Sequence, residues 1–277
     1  MSTKAADLAI TYQEKTDIEH ILDAPDTYIG SIESDKVGNW VLDGEDNMKH
    51  KEYDFIGGLY KCFDEGIVNC RDHVVRLMQK LGNKEKNVIP VRNIDITVDK
   101  ETGVITMRND GNGVDIAKHP ENDLWIPEMI FGHLRTSTNY KKDEKKIVGG
   151  KNGFGFKLVL IYSKWGEVET VDHIRKKKYT QRFENNLTDI LTPTVKKSSS
   201  KPYTKVSWLP DYERFGITNL TDDMFNLFKK RSYDIGVVTD KSVKVTFNGE
   251  AVPNKNFEQY MDCLLYTSDA ADEEDSV

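Results

Sequence analysis

Between Leu59 and Leu77 the apolar residues return with a helical period, and this run limits the possible folds more than any other segment. At about 100° per residue, Leu59, Phe63, Ile67, Cys70, Val74 and Leu77 share one face, while Glu65, Asn69, Asp72 and Arg76 fall in a narrow stripe on the opposite side. The spacing predicts one amphipathic helix over residues 55–80. Residues 93–108, NIDITVDKETGVITMR, alternate apolar and polar positions on both sides of a Lys-Glu-Thr-Gly turn, the pattern of a hairpin. Further strands are expected at 167–172, 178–184, 204–209 and 243–247, helices at 17–23 and 221–233, and a loop at 195–203, VKKSSSKPY. Helix and strand mingle without strict βαβ alternation. The expected class is therefore α+β, a mixed sheet with helices on one face rather than a doubly wound parallel sheet.

The chain has 277 residues, 38% of them hydrophobic, enough for one sizeable core. Its formal charge of −7 misleads, because residues 263–277 carry five acids and no base, which leaves −2 for the rest. Three cysteines, Cys62, Cys70 and Cys263, form no CxxC pair and argue against a disulfide framework or a zinc site, so a reducing compartment is expected. No run approaches the ~20 apolar residues of a membrane span, and no signal segment opens the chain. The stretch CLLYTSDAADEEDSV resembles, over 263–273, a translated sequencing adapter, and is expected to be a non-native tail.

Four segments carry candidate chemistry. Glu65 and Asn69 stand four apart on the predicted helix, so a carboxylate able to deprotonate water lies beside an amide oxygen able to ligate Mg²⁺; a solvated helix face would look the same. The sequence NDGNG, 109–113, offers Asp110 as an acceptor for an exocyclic amine, with Gly111 and Gly113 allowing close backbone approach to a base, or is an ordinary Asp-Gly turn. In GHLRTSTNYKKDEKK, 132–146, Ser137, Thr138 and Asn139 offer hydroxyls and an amide for phosphates or ribose, as loop residues also do. GGKNGFGFKLVLIYS, 149–163, fails both the Walker A and the dinucleotide fingerprints, yet its glycines and Lys157 before a helix can form an anion nest.

The order of these parts resembles the Bergerat-type (GHKL) ATP-binding fold, an α/β sandwich shared by type II topoisomerases, heat-shock-90 chaperones, MutL-like repair proteins and histidine kinases. The segments KTDIEHILDAPDTYIGS (15–31), GLYKCFDEGIVNCRDH (58–73), IPEMIFGHLRTSTNY (126–140), EKKIVGGKNGFGFKL (144–158) and RSYDIG (231–236) are similar to the N-terminal ATPase region of eukaryotic-type type IIA topoisomerases, which also occur in large DNA viruses. The resemblance runs from Tyr12 to Asp262. It implies a flexible start at 1–11, an ATPase domain over 12–262 with the following transducer domain truncated, and a tail at 263–277.

That resemblance also implies roles. Glu65 would be the general base, Asn69 the Mg²⁺ ligand and Asp110, with Gly113 beside it, the adenine reader. Ser137, Thr138 and Asn139 would touch ribose and phosphates; Lys151, Asn152, Gly153, Phe154, Gly155 and Lys157 would hold the triphosphate, with Arg76 nearby. Tyr12 would belong to an arm crossing onto a second subunit. The implied cofactors are ATP and Mg²⁺, and the implied partners a second copy of the chain and double-stranded DNA, with no membrane. An intracellular location follows, nuclear in a eukaryote, host cell or virion for a virus. The implied activity is ATP-driven gate closure for DNA duplex passage; the alternative is a nucleotide-responsive dimerisation module with little hydrolysis. Gly66, His73, Lys151 and Phe156 depart from the family, which usually has a bulky aliphatic, asparagine, arginine and alanine there. The basic stretches 141–146, 175–178 and 196–201 read as solvated loops or as a DNA-facing surface.

Overall fold

The computed structural model describes residues 15–42, 48–134, 154–253 and 256–261. Helix α1 (Asp17–Asp23) opens with a capping box: the Thr16 N–H donates to Glu19 Oε2 at 2.8 Å, and the Glu19 N–H donates to Thr16 Oγ1 at 3.2 Å. The short α2 (Pro25–Tyr28) follows, then a hairpin, β1 (Ser34–Leu42) against β2 (Met48–Ile56). The predicted long helix is α3 (Gly57–Gly82), and all six residues of its expected apolar face are buried. Strands β3 (Asn93–Val98) and β4 (Ile105–Asp110) are the expected hairpin. Helices α4 (Ile126–Gly132) and α5 (Gly155–Ile161) precede β5 (Ser163–Asp172), β6 (Lys177–Glu184), β7 (Asp189–Ile190), β8 (Thr194–Lys197) and β9 (Tyr203–Pro210). Helix α6 (Asp222–Val238), capped by Thr221, leads to β10 (Lys244–Phe247) and β11 (Glu250–Ala251).

Among the described residues nine strands form one sheet in the order β11-β10-β3-β4-β9-β5-β6-β7, with β8 also on β6. Only β10 and β3 run parallel within it, so the sheet is mixed, as expected. Period-two alternation sorts its two faces. Ile105, Met107 and Asn109 of β4 point towards α3, and a methyl added at Gly66 of that helix would lie 2.7 Å from Met107 Sδ and 3.1 Å from Trp208 of β9. Their alternates, Thr106, Arg108 and Asp110, point to the other face beside Tyr203, Lys205 and Ser207. That second face is polar: Asp95 pairs with Arg108 at 3.0 Å, and Glu169 with Lys178 at 2.7 Å. Helices α3 and α6 are joined by Phe63 stacked on Phe228, centroids 4.1 Å apart, and by Asp64 bound to Arg231 at 2.7 Å.

Two departures from the family explain each other. Gly66 leaves room on α3, and the room is filled by Met107 and Trp208. Phe156, where the family usually has alanine, turns its ring inward, edge-on to Trp208 at 5.4 Å and to Phe131 at 5.7 Å. Trp208 Nε1 is buried without a hydrogen-bond partner among the described residues, a cost of about 1–3 kcal/mol that the aromatic packing must outweigh.

Other differences from expectation have local causes. The β1–β2 hairpin was not foreseen, because SDKVGNWVL and MKHKEYDFI carry too many charges for clear alternation. Residues 194–197, expected within a loop from 195, form β8 because they pair with β6; neighbours decide strand formation more than composition does. Asp72, placed on the polar stripe of α3, is only 5% exposed. That stripe is not an outer surface, since α5 comes up against it at Glu65.

Candidate functional site

Helix α3 presents Glu65, half-buried, and Asn69, exposed, one turn apart. The N-terminus of α5 lies directly against them: a methyl added at Gly155 would be 2.9 Å from Glu65 Oε2 and 4.0 Å from Asn69 Nδ2. A glycine is required here so that backbone can approach the carboxylate. Lys61 holds the other oxygen of Glu65 at 2.7 Å, across one helical turn. Burial is the largest single influence on Lys61 and lowers its pKa, but the hydrogen bond to Glu65 and the charges of Glu65 and Asp64 together outweigh it, so the ammonium is held above its ordinary range.

Further along α3, level with the turn after β4, the helix is tied to residues 111–113. His73 Nε2 donates to the Asn112 carbonyl oxygen at 2.7 Å. Burial, with Arg76 nearby, pushes the His73 pKa down to about 4, so the ring is neutral at pH 7 and serves as a donor. Arg76 is exposed one turn beyond Asp72, about 16 Å along the axis from Glu65. Although the side chain is exposed overall, partial desolvation of its guanidinium lowers the pKa, and the nearby Asp72 opposes this without reversing it.

Asp110 does not face this cleft. Its Oδ1 accepts from the Arg92 N–H at 2.6 Å and the Asn93 N–H at 2.9 Å, and its Oδ2 from Asn93 Nδ2 at 2.6 Å. The carboxylate thus fixes the start of β3 on the polar face of the sheet. Strand parity gives the α3 side to Asn109, one residue earlier. Asn109 is buried, and its Nδ2 donates to the Asp110 carbonyl oxygen at 3.0 Å, which leaves Oδ1 as the acceptor. Directly opposite Asn109 on β9 stands Thr204, whose hydroxyl lies 3.0 Å from that of Thr170. Reading the Asn-Asp pair with strand parity, counted from buried Ile105 and Met107, would have found Asn109.

The glycines at 111 and 113 are required by packing. Gly111 has φ of +87°, and a methyl there would press on Val91 and Leu77. At Gly113 a methyl would overlap the Val171 carbonyl oxygen of β5. The Val114 N–H then donates to Thr170 Oγ1 at 3.0 Å.

Phe154 caps α5 and lies against Tyr28, centroids 6.4 Å apart. Lys157, in the first turn of α5, is only 3% exposed, and burial pushes its pKa down to about 8. Tyr12, Ser137, Thr138, Asn139, Lys151, Asn152 and Gly153 lie outside the described residues, as do the basic stretch 141–146 and the tail 263–277. The structure therefore brings together Glu65, Asn69 and Gly155, with Asn109 on the adjoining sheet face, and turns Asp110 away.

Sequence and fold are similar to those of known proteins. No protein-family model matches the chain. The DNA topoisomerase 2 of Acanthamoeba polyphaga mimivirus is 45% identical over 255 residues, which cover 90% of this chain and 19% of that protein. The DNA topoisomerase 2 of Arabidopsis thaliana is 41% identical over 95% of this chain and 17% of its own length. The chain thus spans about a fifth of the length of these curated relatives. Among solved structures, the ATPase region of Saccharomyces cerevisiae topoisomerase II matches with a TM-score of 0.86 and 38% identity, over 94% of this chain and 66% of that one. The 43K ATPase domain of Thermus thermophilus gyrase B shares the fold at a TM-score of 0.61 and 17% identity, covering 89% of this chain and 54% of that one. Sequence and fold agree, and the chain belongs to the family of ATPase regions of type II DNA topoisomerases.

Proposed function

We propose that this domain binds Mg²⁺-ATP in the cleft between α3, α5 and the end of β4, and serves as the ATP-operated gate of a type II topoisomerase that acts as a dimer on double-stranded DNA. The observation that carries the reading is the contact of Gly155 with Glu65 and Asn69, which sets a helix start, a carboxylate and an amide around one point. The residues fit the ligand. Asn109 Oδ1 is the acceptor for the adenine amino group, with its amide oriented by the bond to the Asp110 carbonyl. Thr204 stands beside it for a second polar contact. Asn69 supplies an amide oxygen for Mg²⁺, which neutralises phosphate charge when bound. The backbone N–H of Gly155 faces the phosphate end, and Glu65 is placed to take a proton from water there. Lys61 holds one oxygen of Glu65 and leaves the other turned towards α5.

In the same reading Arg76, Ser137, Thr138, Asn139, Lys151, Asn152, Gly153, Phe154 and Lys157 surround ribose and triphosphate, Tyr12 reaches the second subunit, 12–262 is the ATPase domain, and 263–277 lies outside the fold. Mg²⁺-ATP stabilises the chain by mass action, about 2.7 kcal/mol at a hundredfold excess over Kd. Thermal unfolding measures this. Asn69→Ala is expected to remove the Mg²⁺-dependent share of the shift, and a wild-type midpoint that ATP does not move contradicts the proposal.

A further inference from the structure

The fold sets two lysine runs against each other. Strands β6 and β8 pair antiparallel with Lys177 opposite Lys197 and Lys178 opposite Lys196. The pairing continues as the Ser198 N–H donates to the Lys176 carbonyl at 2.9 Å. Like charges directly opposite one another destabilise a sheet. The acids within reach are few: Glu169 takes Lys178 at 2.7 Å and Lys205 at 3.4 Å, and Arg175 is bound by Asp172 and Asp115. Among the described residues, Lys176, Lys177, Lys196, Lys197 and Lys201 have no carboxylate partner.

One of these cations, Lys196, borders a hollow. Glu169, Lys178, Thr180, Thr194 and Lys196 line a cleft of about 190 Å³ on the polar face of the sheet. Thr180 and Thr194 stand opposite each other there, so two hydroxyls and the Lys196 ammonium offer donors to one anion. On the other face Lys177 lies over the Trp125 ring at 5.4 Å, so positive charge wraps the edge.

We infer that the β6–β8 ribbon is a contact for the phosphate backbone of duplex DNA, with one phosphate seated between Lys178 and Lys196. Four lysines of the ribbon without a carboxylate partner, Lys176, Lys177, Lys196 and Lys197, call for a densely charged linear partner, and duplex DNA carries a charge about every 1.7 Å. An isolated anion would satisfy only the cleft. The ribbon offers no open aromatic platform of the kind that holds single strands, since Trp125 is taken up by Lys177 and by Tyr179, 6.3 Å away. The contact holds DNA without reading its sequence. It deepens the gate reading above and rests on it.

The test uses the 277-residue chain and a short duplex of arbitrary sequence. The double variant Lys196→Glu, Lys197→Glu is expected to bind the duplex at least roughly tenfold more weakly at about 50 mM salt, and to lower the slope of log affinity against log salt by about 2. Its thermal midpoint without DNA stays level or rises by about 1–3 °C, because each new carboxylate faces a lysine across the strands. A surface replacement that merely damages the fold would lower it. The control Lys84→Glu, Lys86→Glu carries the same charge change on an exposed turn and is expected to bind nearly as the parent. Absence of duplex binding by the parent, equal loss in the control, an unchanged salt slope, or binding to anionic vesicles in place of DNA overturns the inference. Lysines on an edge strand also prevent sheets from pairing; self-association of the variant with DNA affinity intact would show that role instead. The Mg²⁺-ATP shift, measured on the same samples, separates the readings. If it fails in the parent, the nucleotide proposal falls; if it persists while DNA affinity is unmoved, only this inference does.

Discussion

Glu65→Gln is expected to leave Mg²⁺-ATP binding intact and to lower turnover by about 10²–10⁴. The amide keeps the size of the side chain and its contact beside Gly155, but it cannot accept a proton at neutral pH. Its hydrogen bond with Lys61, 2.7 Å in the parent, is weakened without being removed, so α3 keeps its position. Turnover is measured as phosphate release at saturating Mg²⁺-ATP. Turnover by Glu65→Gln equal to the parent would place the base elsewhere. A parent that binds ATP and dimerises without turning it over would instead be the nucleotide-responsive module.

Phe156→Ala is expected to cost about 3–5 kcal/mol of stability. In the family alanine is usual at this position, so a sequence comparison suggests a harmless change; the packing says otherwise. The Phe156 ring lies edge-on to Trp208 and Phe131, and Trp208 reaches the space above Gly66. Removing the ring leaves a cavity against an indole whose N–H already lacks a partner. Because Gly66 and Phe156 meet the same tryptophan, restoring a larger side chain at one is expected to depend on the other. Gly66→Leu alone overpacks by about 1–3 kcal/mol, and costs less when combined with Phe156→Ala. Urea unfolding of the three variants measures both the loss and the coupling. A loss below about 1 kcal/mol for Phe156→Ala would show that the ring is not part of the core.

Much of this architecture was legible in the sequence, for reasons that differ by element. Helix α3 announced itself through six apolar residues at helical spacing, all of which are buried. The β3–β4 hairpin showed alternation on both sides of its turn, and α1 occupies the span 17–23 expected for it. Elements whose formation depends on neighbours were hidden: β8 is a lysine-rich strand made by its pairing with β6, and β1–β2 are charged on their exposed sides. The candidate site divides in the same way. Helical spacing puts Glu65 and Asn69 on one face, as a solvated face would also, and the family resemblance is what singled them out. Asp110 faces away from α3 and Asn109 towards it, and NDGNG alone does not say which of its first two side chains faces the helix; the partners of β4 do. The inward turn of Phe156 was equally invisible, since it depends on Trp208, 52 positions away in the sequence.

The central claim is that the cleft beside α3 holds an adenine nucleotide, and calorimetric titration of the chain with ATP and with GTP in the presence of Mg²⁺ tests it most directly. Asn109 Oδ1 is an acceptor held in place by the bond from Nδ2 to the Asp110 carbonyl, so it matches an amino group and opposes the oxygen that guanine carries at the same position. The account predicts measurable binding of ATP and none of GTP, with the preference lost in Asn109→Ala. Equal affinity for the two nucleotides in the parent chain would contradict it.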